Sequence, residues 1–160
     1  QIIELLRRIN REYGTTILLV THEMDVIKDL CTEVAVMEAG RVVEHGSVLD
    51  VFVHPQTAIA QAFVGTVVPH TVPERVLEHL GTGNIWRLLL IDAQVTQPIV
   101  STLIVEHGVS VNILHADMTE IQEHTVGQLI LQVDGEPERV SSARAYLEAT
   151  VAGVHEMEHV

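Results

Sequence analysis

Aromatic residues make up only 3% of this 160-residue chain, so a core must be built from valine, isoleucine, leucine and alanine. Lysine is scarcer still. Lys28 stands alone, and nine basic side chains face 22 acidic ones for a formal charge of -13. A surface that acidic repels phosphate backbones and argues against nucleic acid as a partner. A single cysteine, Cys31, allows no internal disulfide and fits a reducing compartment; on the apolar side of a short predicted helix, it reads as a small core residue. No run of about 18 to 20 apolar residues occurs and the amino end carries no signal-peptide pattern, so no membrane crossing is predicted and the cytoplasm is the default expectation.

What is present is apolar and periodic. Hydrophobic residues reach 47%, enough for one ordinary domain or two small ones. Ile2, Leu5, Leu6, Ile9 and Tyr13 follow the spacing of an amphipathic helix that Gly14 should end. With no methionine and no cap before it, this helix suggests the carboxyl-terminal part of a longer protein. Thr15 to Val20 reads as a buried strand, Asp25 to Cys31 as a short helix, and Val34 to Met37 with Val42 to His45 as a hairpin around Glu38-Ala39-Gly40-Arg41. Ser47 and Asp50 have capping-box spacing before a helix through Phe52. His54-Pro55 breaks it, and Gln56 to Val64 forms another.

The most informative segment is Thr16-Ile17-Leu18-Leu19-Val20-Thr21-His22-Glu23-Met24-Asp25. Its apolar run stops at a threonine and a histidine, which places an imidazole at the carboxyl end of a strand, where open α/β folds bind ligands. A lone histidine in such a place more often just bonds a neighbour. Here the flanking pattern resembles the switch-histidine segment of an ATP-binding cassette (ABC) ATPase. The agreement continues through the helix, strand, glycine-turn hairpin and Pro-led helix over about 60 residues, far more than a single motif. The resemblance implies that residues 1–65 are the carboxyl-terminal segment of a P-loop NTPase-like ABC domain. It also implies that His22 hydrogen-bonds the γ-phosphate of ATP. The rest of a nucleotide site is not in this sequence: Lys28 has no glycine loop beside it, no acidic residue closes an apolar strand, and no signature motif occurs. ATP and magnesium are therefore expected of a full-length protein, and this chain alone is expected neither to bind nor to hydrolyse ATP.

Pro69, Pro73, Gly81 and Gly83 punctuate residues 66–84, which read as a linker with a helical turn or two around Glu74 to Leu80. Residues 85–160 then alternate. Trp86 to Ile91 is an apolar strand, Thr96 and Pro98 open a helix that Gly108 stops, and Val109 to Ala116 is a strand. Thr125 to Val133 has the period of a half-buried strand, Pro137 starts a helix, and Val154 to Val160 closes the block. The order βαββαβ predicts a ferredoxin-like domain, so the whole chain is expected to be α/β. Asn112-Ile113-Leu114 in the second strand resembles the signature of the NIL domain, an ACT-related module at the carboxyl end of ATPase subunits of methionine-import ABC transporters.

That resemblance implies a homodimer on the cytoplasmic face of the membrane, transmembrane permease partners, and methionine as an allosteric ligand that inhibits uptake. Asn112 is the first ligand candidate, because its amide can donate to a carboxylate and accept from an ammonium; a solvated strand residue is the plain alternative. Leu114 and Met118 are candidates for the thioether pocket, while Val111 and Ile113 are expected in the core. No metal site is expected. His155-Glu156-Met157-Glu158-His159 matches H-E-x-x-H in letters, but its apolar alternation is that of a strand, which turns Glu156 away from the histidines. A stand-alone amino-acid sensor without ATPase activity, or an adaptor with no ligand, are the competing readings.

Overall fold

The computed structural model describes residues 2–67, 72, 74–77, 80 and 83–157. The chain falls into two compact units, one built on residues 1–70 together with 121–123 and the other on residues 71–120 and 124–160. Each carries its own sheet, two-stranded in the first and four-stranded in the second, and the chain is α/β.

In the first unit, helix α1 (Ile2–Tyr13) ends at Gly14, whose φ of +61° is the left-handed stop that the sequence predicts. Helix α2 (Met24–Leu30) buries Met24 and Ile27. Strands β1 (Glu33–Glu38) and β2 (Arg41–Ser47) pair antiparallel with Glu38 opposite Arg41. Ala39 and Gly40 between them take φ of +49° and +77°, the positive pair that matches the twist of a tight hairpin. Helix α3 (Val48–Val53) is capped by the Ser47 hydroxyl, which accepts from the Asp50 N–H at 3.1 Å. The Asp50 carboxylate accepts from that hydroxyl at 2.6 Å, so half of a capping box forms. Helix α4 (Ala58–Val64) starts under Thr57, and Ala60 packs with Val36 and Val51 in a small core.

Residues 15–20 depart from expectation. They carry no regular secondary structure and join no ladder, and Leu18 and Val20 are 91% and 92% exposed. A strand exists only when a neighbour satisfies its backbone; β1 and β2 pair with each other, and no described strand pairs with this segment. Apolar content marked the run as strand-forming, but content alone supplies no partner. Cys31 likewise lies beyond the end of α2, half-buried, rather than in the core.

The second unit contains a short helix α5 (Glu74–Leu77), β3 (Asn84–Ile91), a 3-10 turn at Asp92–Gln94, α6 (Ile99–Glu106), β4 (Ser110–Ile121), β5 (His124–Asp134), α7 (Pro137–Thr150) and β6 (Gly153–Met157). The strands lie side by side as β4-β5-β3-β6, with β3 antiparallel to both its neighbours. One face of the sheet is the main core. Trp86 and Leu88 of β3 sit opposite Leu131 and Leu129 of β5, and their cluster includes Leu103 of α6 and Leu147 of α7. Arg144 of α7 lies over the Trp86 ring at 5.6 Å and bonds Glu148 at 2.8 Å and Glu156 of β6 at 3.1 Å, tying helix to sheet.

The opposite face holds Ile85 and Ile130, joined by Val72, which is 4% exposed, and flanked by Leu80, Leu114 and Met157. Part of the stretch read as a linker thus packs on the sheet; its residues 68–71, 73, 78–79 and 81–82 lie outside the described ones. Strand β4 is longer than expected, and its Ile113 is 51% exposed instead of buried. The sheet explains that exposure, because β4 is an outer strand whose side chains meet neighbours on one flank only. Residues 158–160, expected to complete the last strand, are also outside the described residues.

Candidate functional site

His22 follows residues 15–20 at a bend. The Thr21 hydroxyl accepts from the Glu23 N–H at 3.0 Å, a local turn that competes with regular structure and hands the chain to α2. The imidazole is exposed. It lines a groove of about 880 Å³ together with Arg7 of α1, Leu19 and Val20, Ile27 of α2 and Val36 of β1. Apolar side chains dominate these walls. They do not compose a nucleotide site by themselves, since the phosphate-cradling glycines and lysine of such a site are missing from the sequence.

The second unit has a smaller cavity, about 360 Å³, within the range of small-molecule sites, about 300–1,000 Å³. Leu90 at the end of β3, Val95 after the 3-10 turn, Pro98 and Ile99 at the start of α6, Met118 of β4 and Leu129 of β5 make its apolar wall. Gly127 adds floor space: a Cβ there would meet Val95 and Leu90 at 3.4 and 3.5 Å. Gln128, 2% exposed, brings a buried amide to the same lining.

Of the residues singled out in the sequence, Met118 lines this cavity while remaining 68% exposed. Asn112 and Leu114 do not line it. Asn112 is exposed on β4, and Leu114 is half-buried against Ile85 and Ile130 on the face away from the helices. The three therefore do not converge within one copy of the unit. Leu90, Val95, Pro98 and Ile99 escaped the sequence reading because aliphatic residues around a cavity have the same periodicity as a filled core. Gly127 carried a usable signal, since an isolated glycine inside a strand marks a close approach of other atoms.

His155, Glu156 and Met157 lie in β6, where Glu156 reaches Arg144 while His155 stands opposite Arg87 in the ladder. His159 lies outside the described residues. No helix among the described residues is long and apolar enough to cross a membrane.

The chain is similar to known proteins over nearly its whole length. Residues 84–156 match the NIL domain family. A methionine import ATP-binding protein of Burkholderia thailandensis is 45% identical, over 99% of this chain and 48% of the relative. Those of Cupriavidus pinatubonensis and Paraburkholderia xenovorans are 43% and 44% identical with the same coverage. A crystal structure of the C-terminal domain of an ABC transporter/ATP-binding protein from Enterococcus faecalis covers 56% of this chain and 100% of its own, at 28% identity and a TM-score of 0.47. The chain spans about half the length of the curated relatives it matches. Along nearly its whole length it resembles the carboxyl-terminal part of methionine import ATP-binding proteins, and the match to the NIL domain family falls on residues 84–156.

Proposed function

We propose that this chain is the carboxyl-terminal part of the ATP-hydrolysing subunit that energises methionine import, and that its second unit binds methionine and inhibits transport. The observation that carries this reading is 45% identity sustained over 99% of the chain with a protein named for methionine import. Residues 1–65 are then the end of the ABC ATPase domain, 66–84 the connection, and 85–160 the NIL domain. A ferredoxin-like arrangement for that domain is supported by the strand order β4-β5-β3-β6 with a helix after β3 and another after β5.

His22 contributes one hydrogen bond to the γ-phosphate of ATP, held with magnesium by segments beyond this chain; alone, the chain neither binds nor hydrolyses nucleotide. The whole subunit works as a homodimer beneath transmembrane permease subunits, peripheral on the cytoplasmic face of the membrane. The cavity beside Met118 accepts the thioether side chain. Asn112 addresses the amino-acid head group where two copies of the domain meet, and Leu114 packs behind the strand that carries both. Methionine bound there favours separated cassettes, a coupling free energy between two sites.

Calorimetric titration of the chain with L-methionine tests the ligand assignment. Saturable heat is expected from the parent, with affinity about tenfold lower in Asn112→Ala, a loss of about 1.4 kcal/mol. Equal affinity in the two proteins removes Asn112 from the site, and a flat trace for the parent at millimolar ligand removes methionine.

A further inference from the structure

The wall of the second-unit cavity formed by Val95, Gln97 and Pro98 is not part of any sheet ladder or α-helix, so something else must fix its place. Two polar side chains just before it do so. Asp92 has φ of +50°, a left-handed conformation that aspartate tolerates better than most residues. Its carboxylate accepts from the Thr125 N–H at 3.0 Å and from His124 Nδ1 at 2.8 Å, both at the start of β5. The Gln94 side-chain carbonyl accepts from the Ile91 N–H at 3.0 Å and the Ala152 N–H at 3.1 Å, just before β6. The 3-10 turn is thereby fastened to β5 on one side and to the entry of β6 on the other. Val95 and Gln97 continue it, their N–H groups bonding the Asp92 and Gln94 carbonyls at 3.0 and 3.1 Å.

We propose that Asp92 is a positioning residue for the ligand of this unit: through His124 and Thr125 it holds the Val95–Pro98 wall in the shape that accepts the ligand, without lining the cavity itself. The inference rests on the reading that the unit takes a small amino acid. A wall ordered before binding costs the ligand less to close upon, so releasing it weakens affinity while removing no ligand contact.

The test compares Asp92→Gly and Asp92→Asn in the full chain, by calorimetry with L-methionine and by amide hydrogen exchange without ligand. Glycine relaxes the positive φ, so a loss in that variant stems from the missing carboxylate and not from backbone strain. Asparagine retains an oxygen for the Thr125 N–H and a polar group for His124. Asp92→Gly is expected to weaken methionine binding about tenfold and to speed exchange at Val95 and Gln97, with Asp92→Asn restoring most of both. Unchanged affinity in Asp92→Gly overturns the proposal, and so does unchanged exchange. If the parent itself takes up no methionine, the amino-acid reading fails separately. Exchange then decides alone, faster exchange in the glycine variant upholding the tie and equal exchange overturning it.

Discussion

Glu44, on β2, accepts hydrogen bonds from the Gln56 N–H at 3.0 Å, the Thr57 N–H at 2.9 Å and the Thr57 hydroxyl at 2.7 Å, so one carboxylate holds the entry to α4. Partial burial pushes its pKa up, but the bonds from Gln56 and Thr57 outweigh that, and the carboxyl titrates below the usual glutamate range. A depressed folded pKa contributes stability that is full above the ordinary glutamate value and is lost as pH falls through the folded one. Glu44→Gln, which turns an NH₂ toward those donors, is expected to cost about 1–2 kcal/mol near neutral pH. Thermal unfolding of parent and variant should converge on acidification; a gap that widens in acid would contradict the assignment. His22 offers a separate check, since its ring is exposed rather than part of the core. In full-length protein, His22→Ala should lower ATP hydrolysis about 100-fold, as loss of one charge-stabilising donor does, and leave unfolding unchanged. Hydrolysis at the parent rate would remove the switch role.

The elements set by local chemistry were readable from the letters: Gly14 ending α1, Ala39-Gly40 turning the β1–β2 hairpin, Ser47 capping α3, Pro137 opening α7. Each depends on a conformational preference within four or five residues. The segment 15–20 depended instead on a neighbour, and β4 outgrew its expected end because pairing with β5 extends a strand past its most apolar part. Two substitutions separate these cases. Gly40→Ala should cost about 1 kcal/mol from its positive φ alone, because a Cβ there meets nothing within 4 Å. Leu18→Asn should lie within about 0.5 kcal/mol of the parent in this chain, given its 91% exposure, yet destabilise the full-length protein if the rest of the proposed ABC ATPase domain supplies strands beside residues 15–20. Equal effects in the two contexts would mean that the segment gains no partner there. The buried Leu147 of α7 should cost about 2–5 kcal/mol as Leu147→Ala in either context.

Taken together, the two units divide what sequence could convey. The βαββαβ order followed from alternation and turn residues, because every strand of the second unit finds its partners within the unit. Its cavity did not, since Leu90 and Ile99 reach it from different elements and differ in no periodic way from core leucines and isoleucines. Asn112 and Met118 stood out by chemistry, and only Met118 lines the cavity; the proposed site joins them where two copies of the domain meet. For the molecule as a whole, the proposal makes methionine on the second unit govern hydrolysis by the full-length subunit, and the relatives that this chain matches are about twice as long as it is. The most direct measurement of that control is the ATP hydrolysis rate of the full-length subunit assembled with its permease, followed against L-methionine concentration. A saturable fall in rate is expected, shifted to higher methionine by Asn112→Ala; a rate indifferent to millimolar methionine in the parent would rule out regulation by this unit.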